Sequence, residues 1–342
     1  MATSVESSTT VLRADKFGRD LPNLGKTKYD VRQKILLETL RAFEERASGS
    51  SRGYREIAES NLSRWADDRA RRSPASSASD PPRKGCEVVV LPSDWGVVAS
   101  GLIEERGRMF AVLNMANAHV PGGGYTEGCV AQEENMFRRT DCHFSIDRND
   151  EETVRRRSAN GFDGDVEYTP SMTRLLSGAE GRVYLDAASP RVCIRGPEDR
   201  TRDDLGYDFL PEDRIFPFYE LRAAAVDLRG GGRYDDDEMR KRIAAQLDTL
   251  TAAGVRHAVL SAFGCGAFCN PARDVAGVYR EEIEKRSADF DVLAFAIFHA
   301  GYGPDNFTPF RDAFRDFGRF SGDDSGLVKY AESGFSTPEK KK

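Results

Sequence analysis

Near the start of the chain, apolar residues recur every three to four positions. From Asp30 onward they lie on one face of a helix: Val31, Ile35, Leu36, Leu40 and Phe43. Asp30 is itself a residue type that can cap a helix N-terminus. A second, shorter helix is predicted over residues 54–65. The stretch that follows, ADDRARRSPASSASDPPRKG, is rich in Ser, Pro and charge without a period, which predicts a long exposed loop.

Beyond residue 85 the chain alternates between short apolar runs and amphipathic segments. The apolar runs predict buried strands at residues 86–91, 109–113, 182–185, 192–194, 221–228, 257–263 and 291–298. A helix is predicted over residues 236–253. Two later helices each begin with a cap residue followed by proline: Asn270-Pro271 and Thr308-Pro309. Strands that alternate with helices predict an α/β fold whose sheet is covered on both faces.

Composition and charge narrow the class of protein. The 342 residues are 39% hydrophobic with a formal net charge of −6, which argues against nucleic-acid binding by bulk electrostatics. No run approaches the roughly 18 apolar residues of a membrane span. The first twenty residues lack the apolar centre of a secretory signal. We therefore expect an intracellular protein, cytoplasmic or nuclear, that binds neither membranes nor nucleic acid directly.

The cysteines and histidines show no metal-ligand spacing. No CxxC pair occurs among the six cysteines, Cys86, Cys129, Cys142, Cys193, Cys265 and Cys269. The four histidines are scattered. In a reducing compartment such cysteines are mostly small buried hydrophobes. The sequence predicts no disulfide and no metal site.

Two glycine-rich loops follow predicted strands, at residues 121–124 and 264–268. Ligands of α/β sheets bind beyond the carboxyl ends of strands, so both loops are candidates for a binding site. In the second loop, SAFGCGAFCNP, glycines leave backbone N–H groups accessible to an anion at a helix N-terminus. The loop is neither a complete dinucleotide fingerprint nor a P-loop. A phosphate cradle and a simple tight turn both remain open.

The first glycine-rich loop lies between a strand end that carries two asparagines and a predicted helix that begins with one amide and two acidic residues. Asn114 and Asn117 stand at a strand end, where their amides could contact ribose hydroxyls, and three consecutive glycines then offer a bare wall for a ligand. Gln132, Glu133 and Glu134 are predicted in the first turn of a helix that runs through Phe137.

Neighbouring helical residues diverge by roughly 100°, so Glu133 and Glu134 cannot face the same atom. That arrangement suits glycosidic-bond cleavage, in which one carboxyl handles the proton and the other holds a sugar hydroxyl. Two structural interpretations compete with it. Glu134 and Arg138 could form an ion pair four residues apart, and acidic residues often stand at helix N-termini for their favourable interaction with the dipole.

The run NMANAHVPGGG, seven residues, QEE and then RRT closely resembles the signature of the microbial-type poly(ADP-ribose) glycohydrolases of the macrodomain superfamily. LSAFGCGAFCNP resembles the diphosphate-binding loop of that family, and the helix containing LETLRAF resembles its helical extension. The resemblance covers roughly residues 28–317. Phe263 stands where tryptophan is expected, and Thr140 replaces a serine.

The resemblance implies a macrodomain-like three-layer α/β/α sandwich with a mixed central sheet and an N-terminal helical extension. The extension with its Ser/Pro/Arg-rich loop would span residues 27–84 and the catalytic core residues 85–319. The polar, unpatterned ends predict a flexible N-terminus (1–26) and a disordered tail (320–342). The region 145–217 is hard to align with the family, and no residue is assigned to the adenine.

The resemblance also implies site residues. Glu134 would be the catalytic acid, Glu133 would fix a ribose hydroxyl, and Asn117 would hold the ribose beside the scissile bond. Gln132 would help to place the adenosine end, and Phe268 would pack near the distal ribose. Backbone atoms would line the ribose and phosphates at Gly122, Gly123 and Gly124 and would wrap the diphosphate at Gly264, Cys265, Gly266 and Ala267.

The implied function is hydrolysis of the ribose–ribose O-glycosidic bond of poly(ADP-ribose) without metal or cofactor, with Glu134 as general acid and base. The two glutamates would titrate as a coupled pair. The implied partners are ADP-ribose and ADP-ribosylated proteins, and a monomer is expected. Two alternatives remain: a hydrolase that removes mono-ADP-ribose from protein side chains, and a non-catalytic reader of ADP-ribose.

Overall fold

The computed structural model describes residues 27–49, 51–72, 85–146, 150–156, 166–299, 303–317 and 320–321. Three predicted segments therefore lie wholly or largely outside the described residues: the flexible N-terminus 1–26, the exposed loop 66–85, of which residues 73–84 are not described, and the disordered tail 320–342. The first two residues of that predicted tail, Phe320 and Ser321, are not disordered. They pair with the strand that begins at Glu87.

Two helices open the described chain, α1 (Lys28–Ser48) and α2 (Tyr54–Arg72). Thr27 caps α1, and Asp30 completes a capping box by accepting a hydrogen bond from the Thr27 N–H at 3.0 Å. Asp30 is thus the partner of the cap and not the cap itself. The predicted loop also begins too early, because α2 continues to Arg72. Its last turn carries three arginines, which interact favourably with the negative end of the helix dipole.

The strands, in chain order, are β1 (Glu87–Leu91), β2 (Ala111–Met115), β3 (Val154–Arg156), β4 (Val166–Tyr168), β5 (Tyr184–Cys193), β6 (Phe216–Ala223), β7 (His257–Leu260), β8 (Val292–Ala296) and β9 (Phe320–Ser321). Seven of them form one sheet in the order β5-β6-β2-β7-β8-β1-β9, while β3 and β4 pair separately. Within the sheet only β5–β6 is antiparallel. The sheet is therefore mixed, as predicted.

Two strand predictions differ from the structure. The separate runs 182–185 and 192–194 are the two ends of a single strand, β5, whose register shifts between Asp186 and Arg191. The run 221–228 catches only the end of β6. Pro217 and the buried charged pair Glu220 and Arg222 interrupt the apolar pattern of β6, so hydrophobicity alone misplaces it.

The remaining helices are α3 (Trp95–Arg106), α4 (Gln132–Arg139), α5 (Pro170–Leu176), α6 (Asp236–Ala252), α7 (Ala272–Lys285) and α8 (Phe307–Phe314). Helix α3 was not predicted, because residues 95–103 are all buried and leave no polar face to set a period. Asn270 and Thr308, the predicted N-caps of the last two helices, do not cap α7 and α8. The Asn270 amide donates to Val226 and Gly264 carbonyls, and Asp305 accepts from the first N–H groups of α8.

Helices cover both faces of the sheet. Helices α1–α4 pack on one face through residues that include Leu36, Trp65, Trp95 and Phe137. Helices α6–α8 pack on the other face. The three-layer α/β/α arrangement follows. The extension helices α1 and α2 share their apolar cluster with the core, and the predicted division at residue 85 stays a prediction. In the part of the chain that the structure describes, no helix has the length and apolarity to cross a membrane.

Candidate active site

The two glycine-rich loops meet at one edge of the sheet. Strands β2 and β7 are parallel neighbours, so their carboxyl ends lie side by side. The first loop follows β2 and leads to α4, and the second follows β7 and leads to α7. The sequence made both loops candidates for a binding site because each follows a strand, and the pairing of β2 with β7 is what brings them together.

Gln132 ties the start of α4 to the end of β2. Its Oε1 accepts the Met115 N–H at 2.9 Å, and its Nε2 donates to the Leu113 carbonyl at 2.7 Å. The amide thus continues the hydrogen bonding of the strand into the helix. Both contacts of the amide are with the backbone of β2, and its predicted role at the adenosine end stays a prediction.

Both carboxylate oxygens of Glu133 accept backbone N–H groups. Oε2 accepts from Asn117 at 2.7 Å and Oε1 accepts from Gly122 at 3.1 Å, and the residue is 3% exposed. Burial, and then the neighbouring Glu134 carboxylate, raise the pKa of Glu133 well above its usual range, although the Asn117 N–H and Arg222 act in the opposite direction. Glu133 is held rigidly and keeps a proton to higher pH than an exposed glutamate.

Glu134 is held by one oxygen only. Its Oε1 accepts the Gly124 N–H at 3.0 Å, while Oε2 has no partner among the described residues even though the side chain is only 9% exposed. The alternative ion pair with Arg138 does not form, because the Arg138 guanidinium donates to the Cys129 carbonyl and the Tyr207 hydroxyl. A buried carboxylate oxygen without a partner is costly unless a ligand uses it.

At each of the three glycines, the position that a side chain would occupy faces atoms of the protein itself. Gly122 and Gly123 have positive φ angles of 74° and 58°. A Cβ on Gly123 would lie 2.5 Å from Glu134 Oε1 and 3.2 Å from Glu133 Oε2, so the two carboxylates are neighbours. A Cβ on Gly122 would meet the ring of Tyr125, and one on Gly124 would meet the Cys129 sulfur. The predicted wall for a ligand is therefore first a cradle for the two glutamates.

The two asparagines of the first loop differ in access. Asn117 Oδ1 accepts the N–H groups of His119 and Val120 at 2.8 and 2.9 Å, which shapes the loop and leaves the Asn117 Nδ2 for a ligand. Asn114 is fully buried and donates to Glu220 at 2.8 Å. The prediction that Asn114 contacts a ribose is therefore wrong.

In the second loop, four of the five backbone N–H groups of residues 264–268 have no acceptor among the described residues. No described residue accepts a hydrogen bond from the N–H of Gly264, Gly266, Ala267 or Phe268. The N–H of Cys265 instead donates to the Ala262 carbonyl at 3.0 Å, so its predicted part in wrapping a diphosphate is wrong for this conformation. Successive open N–H groups form an anion-binding concavity, which favours the phosphate cradle over a simple turn.

Two features of this edge were not predicted. Phe298 follows β8, the neighbour of β7, and is 53% exposed, with the Arg200 guanidinium carbon 6.0 Å from the centre of its ring. Its only sequence signal is its place at the end of an apolar run. Behind the first loop, Arg222 donates to Tyr168 and pairs with the fully buried Glu220, whose pKa falls to about 2 despite its burial, chiefly because of Arg222. Burial of this pair cannot be read from the sequence.

The described residues hold no group of three or more His, Cys, Asp or Glu side chains arranged to bind a metal ion. The site chemistry that the structure does provide consists of two carboxylates, one amide and two sets of backbone N–H donors.

Comparisons with known proteins show which sequences and folds this chain is similar to. Residues 37–172 match the family model described as the catalytic domain of microbial-type PARG. Among solved structures, the poly(ADP-ribose) glycohydrolase (PARG) from Thermomonospora curvata is 20% identical over 83% of this chain and 99% of that chain, with a TM-score of 0.52. Its structure bound to the inhibitor ADP-HPD is 19% identical over the same shares, with a TM-score of 0.51. No curated protein matches the sequence. The predicted macrodomain-like fold is confirmed.

Proposed function

We propose that the protein is a poly(ADP-ribose) glycohydrolase, since residues 37–172 match the family model of the microbial-type PARG catalytic domain. It hydrolyses the ribose–ribose O-glycosidic bond of the polymer and releases ADP-ribose. The matched segment contains the first glycine loop and both glutamates. The fold shared with the Thermomonospora curvata enzyme, which was solved with the inhibitor ADP-HPD, supports the same assignment.

The observation that carries the proposal is the free oxygen of Glu134. A general acid must reach the leaving-group oxygen with a carboxyl that no internal group occupies. Glu134 Oε2 meets that requirement, since no described residue bonds to it, whereas both oxygens of Glu133 accept backbone N–H groups. The geometry thus supports Glu134 as the acid and Glu133 as the positioning carboxylate.

The proposed reaction uses Glu134 twice. Protonated Glu134 donates its proton to the leaving ribose oxygen as the anomeric C–O bond breaks, and positive charge develops on the remaining ribose. Water then attacks the anomeric carbon and gives its proton to the same carboxylate, so one water is consumed and the acid is regenerated. A Glu133 oxygen that carries no proton keeps a second lone pair, with which it accepts a hydroxyl of the reacting ribose.

The diphosphate of the substrate finds donors in the second loop. The N–H groups of Gly264, Gly266, Ala267 and Phe268 lie at the same sheet edge as the glutamates and have no described internal acceptor. Such groups bind anions through fixed partial charges. The exposed ring of Phe298 offers a stacking face for the adenine, the part of the ligand to which the sequence assigned no residue.

The alternative functions share this pocket and differ in what lies beyond the scissile bond. The test incubates the protein with poly(ADP-ribosyl)ated protein, arginine-linked mono-ADP-ribose and glutamate-linked mono-ADP-ribose. We expect release of ADP-ribose from the polymer alone. Release only from a mono-ADP-ribosylated side chain would replace the proposal by the side-chain hydrolase. ADP-ribose binding without any release would leave a reader.

A further inference from the structure

Arg139, the last residue of α4, is a fully buried guanidinium with a specific set of contacts. Its Nη1 donates to Asp94 Oδ1 at 2.6 Å and to Asn135 Oδ1 at 3.0 Å, and its Nε donates to the Arg195 carbonyl at 3.1 Å. The guanidinium carbon lies 4.6 Å from the centre of the Trp95 ring. A buried charge requires such pairing, because the desolvation penalty is otherwise several kcal/mol.

The start of α3 is shaped around this guanidinium. Asp94 caps α3 and pairs with Arg139, and Trp95 supplies the ring. A Cβ on Gly96 would lie 2.8 Å from the Arg139 guanidinium carbon and closer still to Nη2. Glycine inside a helix is less favourable than alanine, so its presence here is explained by the space that it leaves. We name Asp94, Trp95 and Gly96 the arginine socket.

The socket acts on the same helix that carries the two glutamates. Asn135 and Arg139 are four residues apart and therefore lie on one face of α4. The Trp95 Nε1 donates to Asn135 Oδ1 at 2.9 Å, so two residues of that face are bound to α3. Asn135 directly follows Glu134. A helix of only eight residues rotates as a unit, and fixing this face fixes the directions of Glu133 and Glu134.

We propose that the arginine socket is a positioning element for the reaction. It holds α4 in the rotation at which Glu133 and Glu134 meet the N–H groups of Asn117, Gly122 and Gly124. The bonds to those N–H groups are 2.7–3.1 Å long and tolerate little displacement. The positional part of the inference stands on the contacts of Arg139, and its consequence for turnover rests on the proposed function.

The test substitutes Gly96 by alanine, whose Cβ forces the Arg139 guanidinium to shift while adding a residue that favours helix. A displacement near 1 Å can cost catalysis about a hundredfold, so we expect kcat on polymer to fall at least about tenfold, with KM within about threefold.

The matched control is Gly277→Ala in α7, where a Cβ would meet nothing within 4 Å. It should leave kcat unchanged. Asp94→Asn, which keeps a good cap and removes the charge, is the second variant if Gly96→Ala fails to fold.

A crystal structure of Gly96→Ala provides a readout that does not depend on turnover. We expect the Arg139–Asp94 contact to be lost and at least one of the three N–H bonds to the Glu133 and Glu134 carboxylates to be broken. Unchanged carboxylates, or wild-type kcat in the folded variant, overturn the inference. If the wild-type protein fails to cleave polymer while the variant shows displaced carboxylates, the proposed function is wrong and the positioning role stands.

Discussion

Gly123 shows how closely one residue can be tied to the chemistry of its neighbours. Its positive φ angle and the closeness of Glu134 Oε1 each exclude a side chain, and the two reasons are independent. The sequence predicted that the glycines matter, but it assigned their bare surface to a ligand. Which atoms face a missing Cβ depends on the loop conformation, and nothing in the letters GGG specifies it.

Gly123→Ala should therefore lower both stability and activity. A left-handed conformation costs an alanine roughly 1–2 kcal/mol, and contact with the Glu134 carboxylate adds to that. The control is Gly181→Ala, because Gly181 has a φ angle of 73° and open space around a Cβ, so it reports backbone strain alone. Urea unfolding and polymer turnover measure the two effects. Equal destabilisation in the two variants, with full activity in Gly123→Ala, would contradict the cradle.

Glu133 should make stability depend on pH. Because its pKa is raised in the folded protein, the folded state binds the proton more tightly than the unfolded chain does. Its contribution to the free energy of unfolding is therefore fully present below the ordinary glutamate pKa and is lost as pH rises through the raised value. Glu134→Gln removes the second cause of the shift.

We expect the free energy of unfolding to decline less with rising pH in Glu134→Gln than in the wild type. Urea unfolding at several pH values between about 4.5 and 8 measures this difference. Parallel pH profiles for the two proteins would show that the carboxylates do not interact.

At the scale of elements, the sequence predicted where the loops lie better than how they are built. The pattern of strands and helices placed each glycine loop directly after a strand, and the GGG-to-QEE spacing located the helix that carries the two glutamates. Helix α3 was missed because it is apolar all round, and the arginine socket at its start was missed with it. Most of β6 was not predicted, because charged residues such as Glu220 and Arg222 indicate an exposed position in a hydrophobic pattern even when the fold buries them as an ion pair.

The second loop offers a variant that removes a single N–H donor. The Cys269 N–H donates to the Gly266 carbonyl, which places Ala267 at the second position of a turn, where proline is favoured. Ala267→Pro should keep the fold and weaken ADP-ribose binding about tenfold or more, the loss of one hydrogen bond to a charged group. Ala267→Ser keeps the N–H and is the control. Calorimetric titration decides it, and wild-type affinity in Ala267→Pro would exclude this N–H from the cradle.

At the scale of the whole molecule, the first N-terminal helix contacts the elements of the candidate site directly. Gln33 donates to the Thr126 carbonyl at 2.8 Å, and the Thr39 hydroxyl donates to the Arg138 carbonyl at 2.7 Å. Both acceptors belong to the segment that carries the glycines and glutamates. The sequence predicted an extension by resemblance, but long-range contacts of this kind depend on tertiary packing and have no local signature.

Leu36→Ala tests whether α1 folds with the core. Leu36 is fully buried in the cluster that also contains Trp95 and Phe137, so truncation should cost about 2–5 kcal/mol in a single cooperative transition. Lys34→Ala on the exposed face of α1 is the control and should change little. Calorimetry that resolves a separate early transition for Leu36→Ala would show that the extension unfolds independently of the core.

The central claim is that Glu134 supplies the proton and Glu133 does not, and Glu134→Gln tests it most directly. Glutamine keeps the shape and the oxygen that accepts the Gly124 N–H, so ADP-ribose affinity by calorimetry should stay within about tenfold of the wild type. Turnover of polymer should fall by the roughly 10²–10⁴ that general acid–base catalysis contributes. Near-normal turnover by a variant that binds ADP-ribose normally would remove Glu134 from the reaction.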